Sequence, residues 1–185
     1  MSSTKLLVLG VVRMHGQTHG YRVHRELLSW SADEWAHVKA GSLYHALRQM
    51  TKTGLLERVD TEEGDGGPER TVYRITPEGE REFFDLLVRE LRDPAGDRQA
   101  LSAAVIFLPA LTRLDAIMLL RHRIVALEGG LGNARFRLDS FDSMRKPAHV
   151  RELFEIWADE LAAGLAWTKN LVARLEAGEY TMAGE

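Results

Sequence analysis

Apolar residues recur at helical spacing near the middle of the N-terminal half of the sequence. Within residues 40–54 they follow an i, i+3, i+4, i+7 pattern: Leu43, Ala46, Leu47 and Met50. This spacing predicts an amphipathic helix with one buried stripe, and Gly54 is placed to end it. The opposite face carries cations and hydrogen-bonding groups with no acid among them: Lys39, Ser42, Tyr44, His45, Arg48 and Lys52. We expect such a face to suit a phosphate-lined groove.

Two further helices are predicted before this one. The mostly apolar residues 6–12 indicate a buried first helix, and residues 19–30 indicate a second helix with Thr18 as its cap. Four side chains of the second helix are expected in the core: Tyr21, Val23, Leu27 and Leu28. Residues 31–38 are predicted as a turn-like connector, whose Trp35 is expected to pack against the body of the domain.

A hairpin is predicted after the third helix. Residues 55–61 and 71–75 alternate in polarity as strands do, and the acidic, glycine-rich residues 62–68 between them supply a turn. Thr76 and Pro77 then occupy the positions of a helix cap and a first helical residue. Three helices, a two-stranded wing and a further helix together predict a mainly α protein that begins with a winged helix-turn-helix.

The second half of the sequence has the pattern of long paired helices. The stretch at residues 93–97 predicts a boundary between a winged-helix domain, residues 1–93, and a helical domain, residues 97–178. A second amphipathic helix follows Pro147 and ends at Gly178, so an antiparallel helical hairpin is expected. In the residues that precede Pro147, both seam positions of a heptad repeat are apolar: Ile117, Ile124, Leu131 and Leu138 in one register, and Leu120, Leu127, Ala134 and Phe141 in the other.

This hairpin must bury its remaining apolar face, and a two-fold related copy of the chain is the expected partner. Gly129, Gly130 and Gly132 oppose a continuous helix, because each costs roughly 1 kcal/mol in a helix interior relative to alanine. They mark either a kink or a place where another helix approaches closely. We assign dimerisation to the following side chains: Ile117, Leu120, Ile124, Leu127, Leu131, Leu138, Phe154, Trp157 and Leu161.

Composition and charge narrow the class of protein. The 185 residues are 45% hydrophobic, which is enough for a folded core, and no apolar run reaches the roughly 20 residues of a membrane-spanning helix. The absence of cysteine excludes disulfides and thiolate metal sites, and we expect a cytoplasmic protein without a signal peptide. The net charge is −3, yet residues 1–56 carry seven Lys/Arg against three acids, a local balance of +4. An acidic body with one basic face is compatible with site-specific DNA binding.

Three stretches resemble the PadR family of transcriptional regulators: THGYRVHREL at residues 18–27, GSLYHALRQMTKTGLL at residues 41–56, and GGPERTVYRITPEG at residues 66–79. Their order and spacing agree with that family, and the helical C-terminal half is similar to its longer members. The resemblance implies a dimeric winged-helix repressor that binds a near-palindromic operator and is released by a small molecule. One position departs from the family, because His45 stands where a proline commonly follows the tyrosine.

The polar face of the third helix is the candidate DNA-reading surface. A helix fits the major groove of B-DNA, and two such helices on a symmetric dimer would meet half-sites roughly 34 Å apart. Lys39, at the helix N-terminus, is expected to hold a phosphate, and Arg70 on the wing to reach the minor groove, with Arg74 as a second wing cation. The alternatives are packing against the first helix for Tyr44, a solvated charge or a surface ion pair for Arg48, and a structural role in the hairpin for Arg70. We assign base and nearby phosphate contacts to Ser42, Tyr44, His45 and Arg48.

The sequence contains no recognisable catalytic constellation, and neither a cofactor nor a metal is expected. His15, His19 and His24 are close in sequence, but their spacing is not that of a helical metal site. Trp157 and Trp167 are candidates for binding a small-molecule effector, because planar ligands stack well on indoles. Ordinary core packing is the alternative for both tryptophans.

The main alternative function is a protein-interaction module in which the winged helix binds a partner chain without sequence-specific DNA binding. Its support is the acidic wing tip, Glu62, Glu63 and Asp65. Carboxylates at that position would repel a phosphate backbone at close range. The two functions differ in their response to salt, since phosphate contacts make affinity fall steeply as salt rises.

Overall fold

The computed structural model describes the backbone of residues 2–64 and 67–185, and the side chains of residues 3–59 and 71–185. The chain forms two compact units. The N-terminal unit comprises Met1–Glu90 and Gly96–Phe107, and the C-terminal unit comprises Leu91–Ala95 and Leu108–Glu185. Within the described residues, no helix combines the length and the apolarity needed to cross a membrane.

The N-terminal unit is built around a buried helix. Its elements are α1 Ser2–His15, β1 Gln17–His19, α2 Gly20–Ser29, α3 Ala32–Trp35, α4 Ala40–Lys52, β2 Leu56–Gly64, β3 Gly67–Ile75, α5 Pro77–Arg92 and α6 Arg98–Ile106. Helix α1 is apolar around most of its circumference, and its central residues are fully buried: Leu6, Leu7, Val8, Leu9, Val11 and Val12. A helix that is apolar on all sides needs neighbours on all sides, and α2, α4 and α6 all pack against α1.

The sheet has three antiparallel strands in the order β1-β3-β2, so the predicted two-stranded wing has an additional edge strand. Thr18 lies in β1 opposite Tyr73 and is buried. The prediction that Thr18 caps the second helix was therefore wrong. His19 caps α2 instead, because its Nδ1 accepts a hydrogen bond of 3.1 Å from the backbone N–H of Arg22.

Helix α2 buries a narrower stripe than the sequence suggested. Val23 and Leu27, which are four residues apart, are buried as predicted. Tyr21 and Leu28 were predicted in the core and are exposed, with 52% of Tyr21 accessible to solvent. The reason is geometric. Residues three or four apart share one helix face, and neither exposed side chain is three or four residues from Val23 or Leu27.

The predicted ends of α4 and the predicted start of α5 are confirmed. Gly54, after the last turn of α4, has a left-handed φ of +76°. Thr76 caps α5, because its Oγ1 accepts a hydrogen bond of 3.0 Å from the N–H of Gly79. Gly79 is required by close approach, since a Cβ there would lie 2.1 Å from the carbonyl oxygen of Leu55. These contacts fix the base of the hairpin against the following helix.

The C-terminal unit is an antiparallel helical hairpin. Helix α7 spans Arg113–Asp139 without interruption at its three glycines, and α8 spans Arg151–Glu176. Short 3-10 turns lie at Leu108–Ala110, Phe141–Met144 and Ala148–Val150. The two long helices pack along each other through a cluster centred on Leu131, Ala134 and Ala158. Helix α6, which the sequence placed in the C-terminal domain, packs with α1 in the N-terminal unit.

Arg113 at the start of α7 and Arg123 in its middle donate hydrogen bonds to backbone carbonyl oxygens elsewhere in the C-terminal unit. Arg113 donates to the carbonyl oxygens of Leu175 and Tyr180 and to both carboxylate oxygens of Glu185. The hydrogen bond from Arg113 lowers the pKa of Glu185. Arg123 is only 7% exposed and donates to the carbonyl oxygen of Asp93, and its burial lowers the pKa of its guanidinium.

Candidate nucleic-acid interface

The helix-turn-helix consists of α2, the short α3 and α4. Helix α4 buries Leu43, Leu47 and Met50, which is the stripe predicted from their spacing. The candidate reading residues all lie on the exposed side of the helix: Ser42, Tyr44, His45, Arg48 and Lys52. The fold therefore brings the predicted polar face together on one surface, with no acid in the helix to offset its cations.

The N-terminus of α4 is open to an anion. Lys39 is the residue that precedes the helix, its backbone is extended, and its exposed side chain makes no capping hydrogen bond. Ser42 donates its hydroxyl to the carbonyl oxygen of Lys39 at 2.7 Å, so the hydroxyl does not cap the first-turn N–H groups. Backbone N–H groups at a helix N-terminus attract anions, and the Lys39 ammonium adds a full charge beside them.

Tyr44 both packs and faces solvent. Its ring lies against the first residue of α2, because a Cβ added to Gly20 would be 2.6 Å from Tyr44 Cε1. At the same time 39% of Tyr44 is exposed. The contact with Gly20 fixes the ring and leaves its open side on the same face of α4 as the other reading residues.

Cations in the N-terminal unit divide into paired and unpaired groups. Ion pairs engage Lys5, Arg13, Arg74, Arg81 and Arg89. No ion pair within the described part of the chain engages the cations of α2, of α4 and of the residue before α4, which are Arg22, Arg25, Arg48, Lys52 and Lys39, and the same is true of Arg58 in β2 and Arg98 in α6. The predicted alternative of an ion pair for Arg48 is thus not seen there. Most of the described cations of this unit that have no ion pair therefore lie on the helix-turn-helix.

Of the two wing arginines, the structure describes the side chain of Arg74 and only the backbone of Arg70. Arg74 donates from Nε to Glu57 Oε1 at 2.8 Å across the strands, with both side chains half exposed, so its charge is already compensated. The backbone of Arg70 pairs with Glu62 in the β2–β3 hairpin, and its side chain lies outside the described residues. The side chains of the acidic wing tip, Glu62, Glu63 and Asp65, lie outside them as well.

Helix α2 adds a basic surface that the sequence reasoning missed. His19, Tyr21, Arg22 and Arg25 line a surface pocket of about 290 Å³. A neighbouring pocket of about 250 Å³ is lined by Arg22, Arg25, Glu26 and Ser29. The signal available in the sequence was the i, i+3 spacing of the two arginines, which places both on one helix face.

The three clustered histidines do not meet as ligands. His15 lies 3.5 Å from the carboxylate of Glu26 through its Nε2, and His19 is engaged as the cap of α2. In the part of the chain that the structure describes, no group of three His, Cys, Asp or Glu side chains is arranged to hold a metal ion.

Most of the heptad seam is buried inside the hairpin of a single chain. Leu120 and Leu127 are almost completely buried by the chain itself, and Ile117, Leu131 and Phe154 are buried as well. Three further members of the predicted dimer set are only half-buried, namely Ile124, Leu138 and Leu161. These side chains are therefore mostly occupied by intrachain packing, which the sequence pattern could not distinguish from packing between chains. Trp157 and Trp167 are both exposed, so neither is an ordinary core residue.

A different set of apolar residues faces outward from the hairpin. On α7, Met118, Val125 and Gly132 are spaced by seven, and so are Gly129 and Phe136. Phe136 is 71% exposed, and a Cβ added to Gly129 or Gly132 would meet no atom within 4 Å. Large exposed apolar side chains in a regular stripe are typical of a surface that binds a partner.

Comparison with known proteins finds a family match in the N-terminal part of the chain. The sequence model of the transcriptional regulator PadR-like family matches residues 8–85, from α1 into α5. Among solved structures, Bacillus subtilis PadR in complex with operator DNA is 21% identical, with 94% of this chain and 95% of that chain covered and a TM-score of 0.43. Bacillus subtilis PadR in complex with p-coumaric acid is 17% identical, with coverages of 94% and 99% and a TM-score of 0.41. A PadR-like transcriptional regulator from Bacillus cereus is 19% identical, with coverages of 95% and 99% and a TM-score of 0.38.

No curated protein matches the sequence. The family match covers the complete helix-turn-helix and both wing strands, which are the elements that carry the candidate interface. Residues 8–85 of the chain match the PadR-like family of transcriptional regulators.

Proposed function

We propose that this PadR-like regulator is a cytoplasmic repressor that binds a near-palindromic DNA operator as a homodimer. The observation that carries the proposal is the exposed face of α4, on which Lys39, Arg48 and Lys52 are cations without ion-pair partners among the described residues. Unpaired cations on one helix face attract a ligand of opposite charge, and the phosphates of DNA are such a ligand.

Each residue of this face has a role that its chemistry supports. Arg48 presents a planar fork that suits the two acceptors of a guanine edge in the major groove. Ser42, Tyr44 and His45 supply hydrogen-bonding groups of different reach, and Lys39 neutralises a phosphate at the end of the helix. We assign Arg70 to the minor groove beside the wing. Arg74 contributes less, because Glu57 already compensates its charge.

We infer that the outward stripe of α7 is the main dimer surface. The heptad seam supports the hairpin, and its least buried members, together with Trp157 of α8, extend the surface that a partner can cover. Gly129 and Gly132 favour this assignment, because open space at both positions lets the backbone of a second helix come close. Two α4 helices on a two-fold dimer then read two half-sites of one operator.

Release by a small molecule is the remaining part of the proposal. Trp157 and Trp167 are exposed on α8 and offer flat apolar surfaces to an aromatic ligand. A ligand that quenches the fluorescence of either indole, and that raises the operator dissociation constant in the same solution, would support it. Quenching without any change in operator affinity would contradict an effector role.

DNA selection tests the core of the proposal. The full chain is incubated with a library of random duplexes, and the enriched sequences are read; a near-palindrome with half-sites about one helical turn apart is expected. Arg48→Ala should then weaken binding to the selected duplex by about 1 to 3 kcal/mol. Arg81→Ala is the matched control, because Arg81 is exposed and already paired with Glu78.

Two outcomes would contradict the proposal. The absence of any enriched duplex, together with binding that does not change with salt, would favour a protein-interaction module. Equal binding by Arg48→Ala and the parent chain would show that α4 is not the reading helix. Repression itself is checked with a reporter gene placed behind the selected sequence, whose expression should fall when the regulator is present.

A further inference from the structure

We propose that His19 is a proton-sensitive positioning residue for DNA binding. Its neutral imidazole caps α2 and holds the start of that helix against Tyr44, so that protonation of His19 weakens operator binding. The inference rests on the proposed DNA-binding function and adds a control to it. The signal is the proton itself, and the residue that receives it lies outside the α4 reading face.

The cap is a single hydrogen bond at the N-terminus of α2. His19 is the residue before the helix, and its backbone is extended, with a φ of −97° and a ψ of 155°. Its Nδ1 accepts a hydrogen bond of 3.1 Å from the N–H of Arg22, the third residue of the helix. That N–H has no carbonyl partner within the helix, so the imidazole takes the place that a serine, threonine, asparagine or aspartate oxygen usually occupies. The neighbouring Thr18 hydroxyl is buried and makes no hydrogen bond within the described residues, so it offers no second cap.

An imidazole cap differs from an oxygen cap because it depends on a proton. Neutral histidine has one ring nitrogen without hydrogen, and the cap requires that nitrogen to be Nδ1. The protonated ring carries N–H groups on both nitrogens. Nδ1–H would then point at the N–H of Arg22, and a cation would stand at the positive end of the helix dipole. Helix α2 has no acid in its first turn to offset that charge, so protonation both removes the cap and opposes the start of the helix.

The groups around His19 do not offer its cation a partner. The pocket of about 290 Å³ that His19 lines is otherwise formed by Tyr21, Arg22 and Arg25, and none of these is an acid. The His19 and Tyr21 rings are stacked with centroids 6.2 Å apart, beyond the roughly 6 Å within which a ring stabilises a cation.

The elements packed around β1 and the start of α2 bring further charged or titratable groups. They are His15 with Glu26 between α1 and α2, Arg74 with Glu57 in the sheet, and Tyr44 of α4. Both acids in this set already have a partner, and the residue opposite His19 on β3 is the uncharged Val72. Protonation of His15 acts in the opposite sense, because a cation there strengthens its contact with Glu26, 3.5 Å away.

The first turn of α2 supports a residue of the reading face. Gly20 follows the cap and is buried, and a Cβ added to it would lie 2.6 Å from Tyr44 Cε1 and 3.1 Å from Leu47 Cδ1. A first turn that frays moves this backbone and leaves the Tyr44 ring without its support. DNA that requires the ordered ring must then restore the turn, so operator affinity falls by up to the cost of the lost cap. Loss of a cap corresponds to roughly a fivefold change, or about 1 kcal/mol at 1.4 kcal/mol per tenfold.

The pH dependence of operator affinity tests the inference. The full chain, His19→Asn and His19→Ala are titrated with a selected duplex at one salt concentration, at about pH 7.5 and about pH 5.5, because histidine changes its charge in this range. Asparagine is a strong cap that does not titrate there, so His19→Asn keeps the cap at both pH values. Comparison at one pH cancels the protonation of the histidines that all three chains share.

The three chains should separate in a defined way. The parent and His19→Asn should bind alike near neutrality, and in acid the parent should become weaker than His19→Asn by up to roughly fivefold. His19→Ala, which has no cap, should be weaker than His19→Asn by the same factor at both pH values.

Thermal unfolding gives a second measurement that needs no DNA. The Tm of the parent should match that of His19→Asn near neutrality and lie below it in acid, by up to roughly 2 to 4 °C for a chain of this size. His149→Gln is the matched control, since it removes an exposed histidine of the C-terminal unit whose side chain makes no ion pair within the described residues. Its difference from the parent should not change with pH in either measurement.

The inference and the proposed function fail in different ways. The inference is overturned if the affinity ratio of the parent to His19→Asn is the same at both pH values, if the parent is the tighter binder in acid, or if their melting difference does not change with pH. Equal binding by His19→Ala and His19→Asn near neutrality, or an equal pH effect in the control, would overturn it as well. If the parent binds no duplex at either pH, the proposed function fails and the positioning role fails with it, whereas unfolding still decides whether the cap responds to a proton.

Discussion

Two substitutions on α7 should affect different properties. A substitution in the seam should lower the stability of one chain, whereas a substitution in the outward stripe should weaken the association of two chains. Leu120 is 0% exposed within a single chain, so Leu120→Ala should lower the free energy of unfolding by about 2 to 5 kcal/mol. Phe136 is 71% exposed, so Phe136→Ala leaves the intrachain packing almost unchanged. Its effect on unfolding within one chain should be within about 0.5 kcal/mol, as for other surface substitutions.

The size of the association effect follows from the exposed area. A phenylalanine side chain buries roughly 150 to 250 Å² when it is fully covered. With 71% of Phe136 open, roughly 100 to 180 Å² is available to a partner, which corresponds to about 2.5 to 4.5 kcal/mol at roughly 25 cal/mol per Å². A two-fold dimer contains two copies of this side chain. Since a partner covers only part of each, we expect the dimer dissociation constant to rise at least roughly tenfold.

Sedimentation equilibrium over a series of concentrations measures the association, and denaturant unfolding at the same concentrations measures the stability. Phe136→Leu is the control for the association, because it keeps most of the apolar surface. A dissociation constant for Phe136→Ala equal to that of the parent chain would contradict the assignment of the outward stripe to the dimer surface. Folded Leu120→Ala monomers of undiminished stability would contradict it as well, since the seam would then be the interface between chains.

Two other predictions follow from individual contacts. Gly20→Ala should displace the Tyr44 ring, whose Cε1 would lie 2.6 Å from the new Cβ, and should weaken operator binding about as much as Tyr44→Ala does. Titration of both single variants and of the double variant checks this, because losses that act through one ring should not add, and full additivity would contradict the shared cause. The pKa of Glu185 is lowered by the hydrogen bond from Arg113, so the pair stabilises the fold above the ordinary carboxyl pKa and loses that effect as the pH falls through the lowered one. The melting temperatures of Glu185→Gln and the parent should therefore differ at neutral pH and converge in acid, and a constant difference would contradict the assignment.

The register of α4 could be predicted because local spacing alone determines it. Leu43, Leu47 and Met50 lie on one side of any helix through these residues, and Gly54 and Thr76 are positions where the backbone demands a particular residue type. The resemblance to the PadR-like family could be recognised for the same reason, since the family's motifs are local stretches of sequence. The family consists of transcriptional regulators, in agreement with the prediction that the chain is not an enzyme.

Charge pairing in the candidate site could not be predicted from the sequence. Arg74 and Arg48 look alike along the chain, yet Arg74 is paired with Glu57 across two strands and Arg48 has no partner among the described residues. The basic pocket of α2 also depends on which side of the helix faces the core. That side differed from the prediction, which placed Tyr21 inside.

The positions of the longer helices and of the hairpin follow from the sequence, because hydrogen bonding and side-chain periodicity within an element depend on neighbours along the chain, whereas the short helix α3 lies in residues predicted as a connector. Which surfaces meet depends on contacts between elements that are far apart along the chain. Strand β1 is three residues long, too short to show a period, and forms because β3 offers it a free edge. The apolar seam of α7 is satisfied by α8 of the same chain, since a heptad pattern specifies an apolar partner without specifying which helix supplies it.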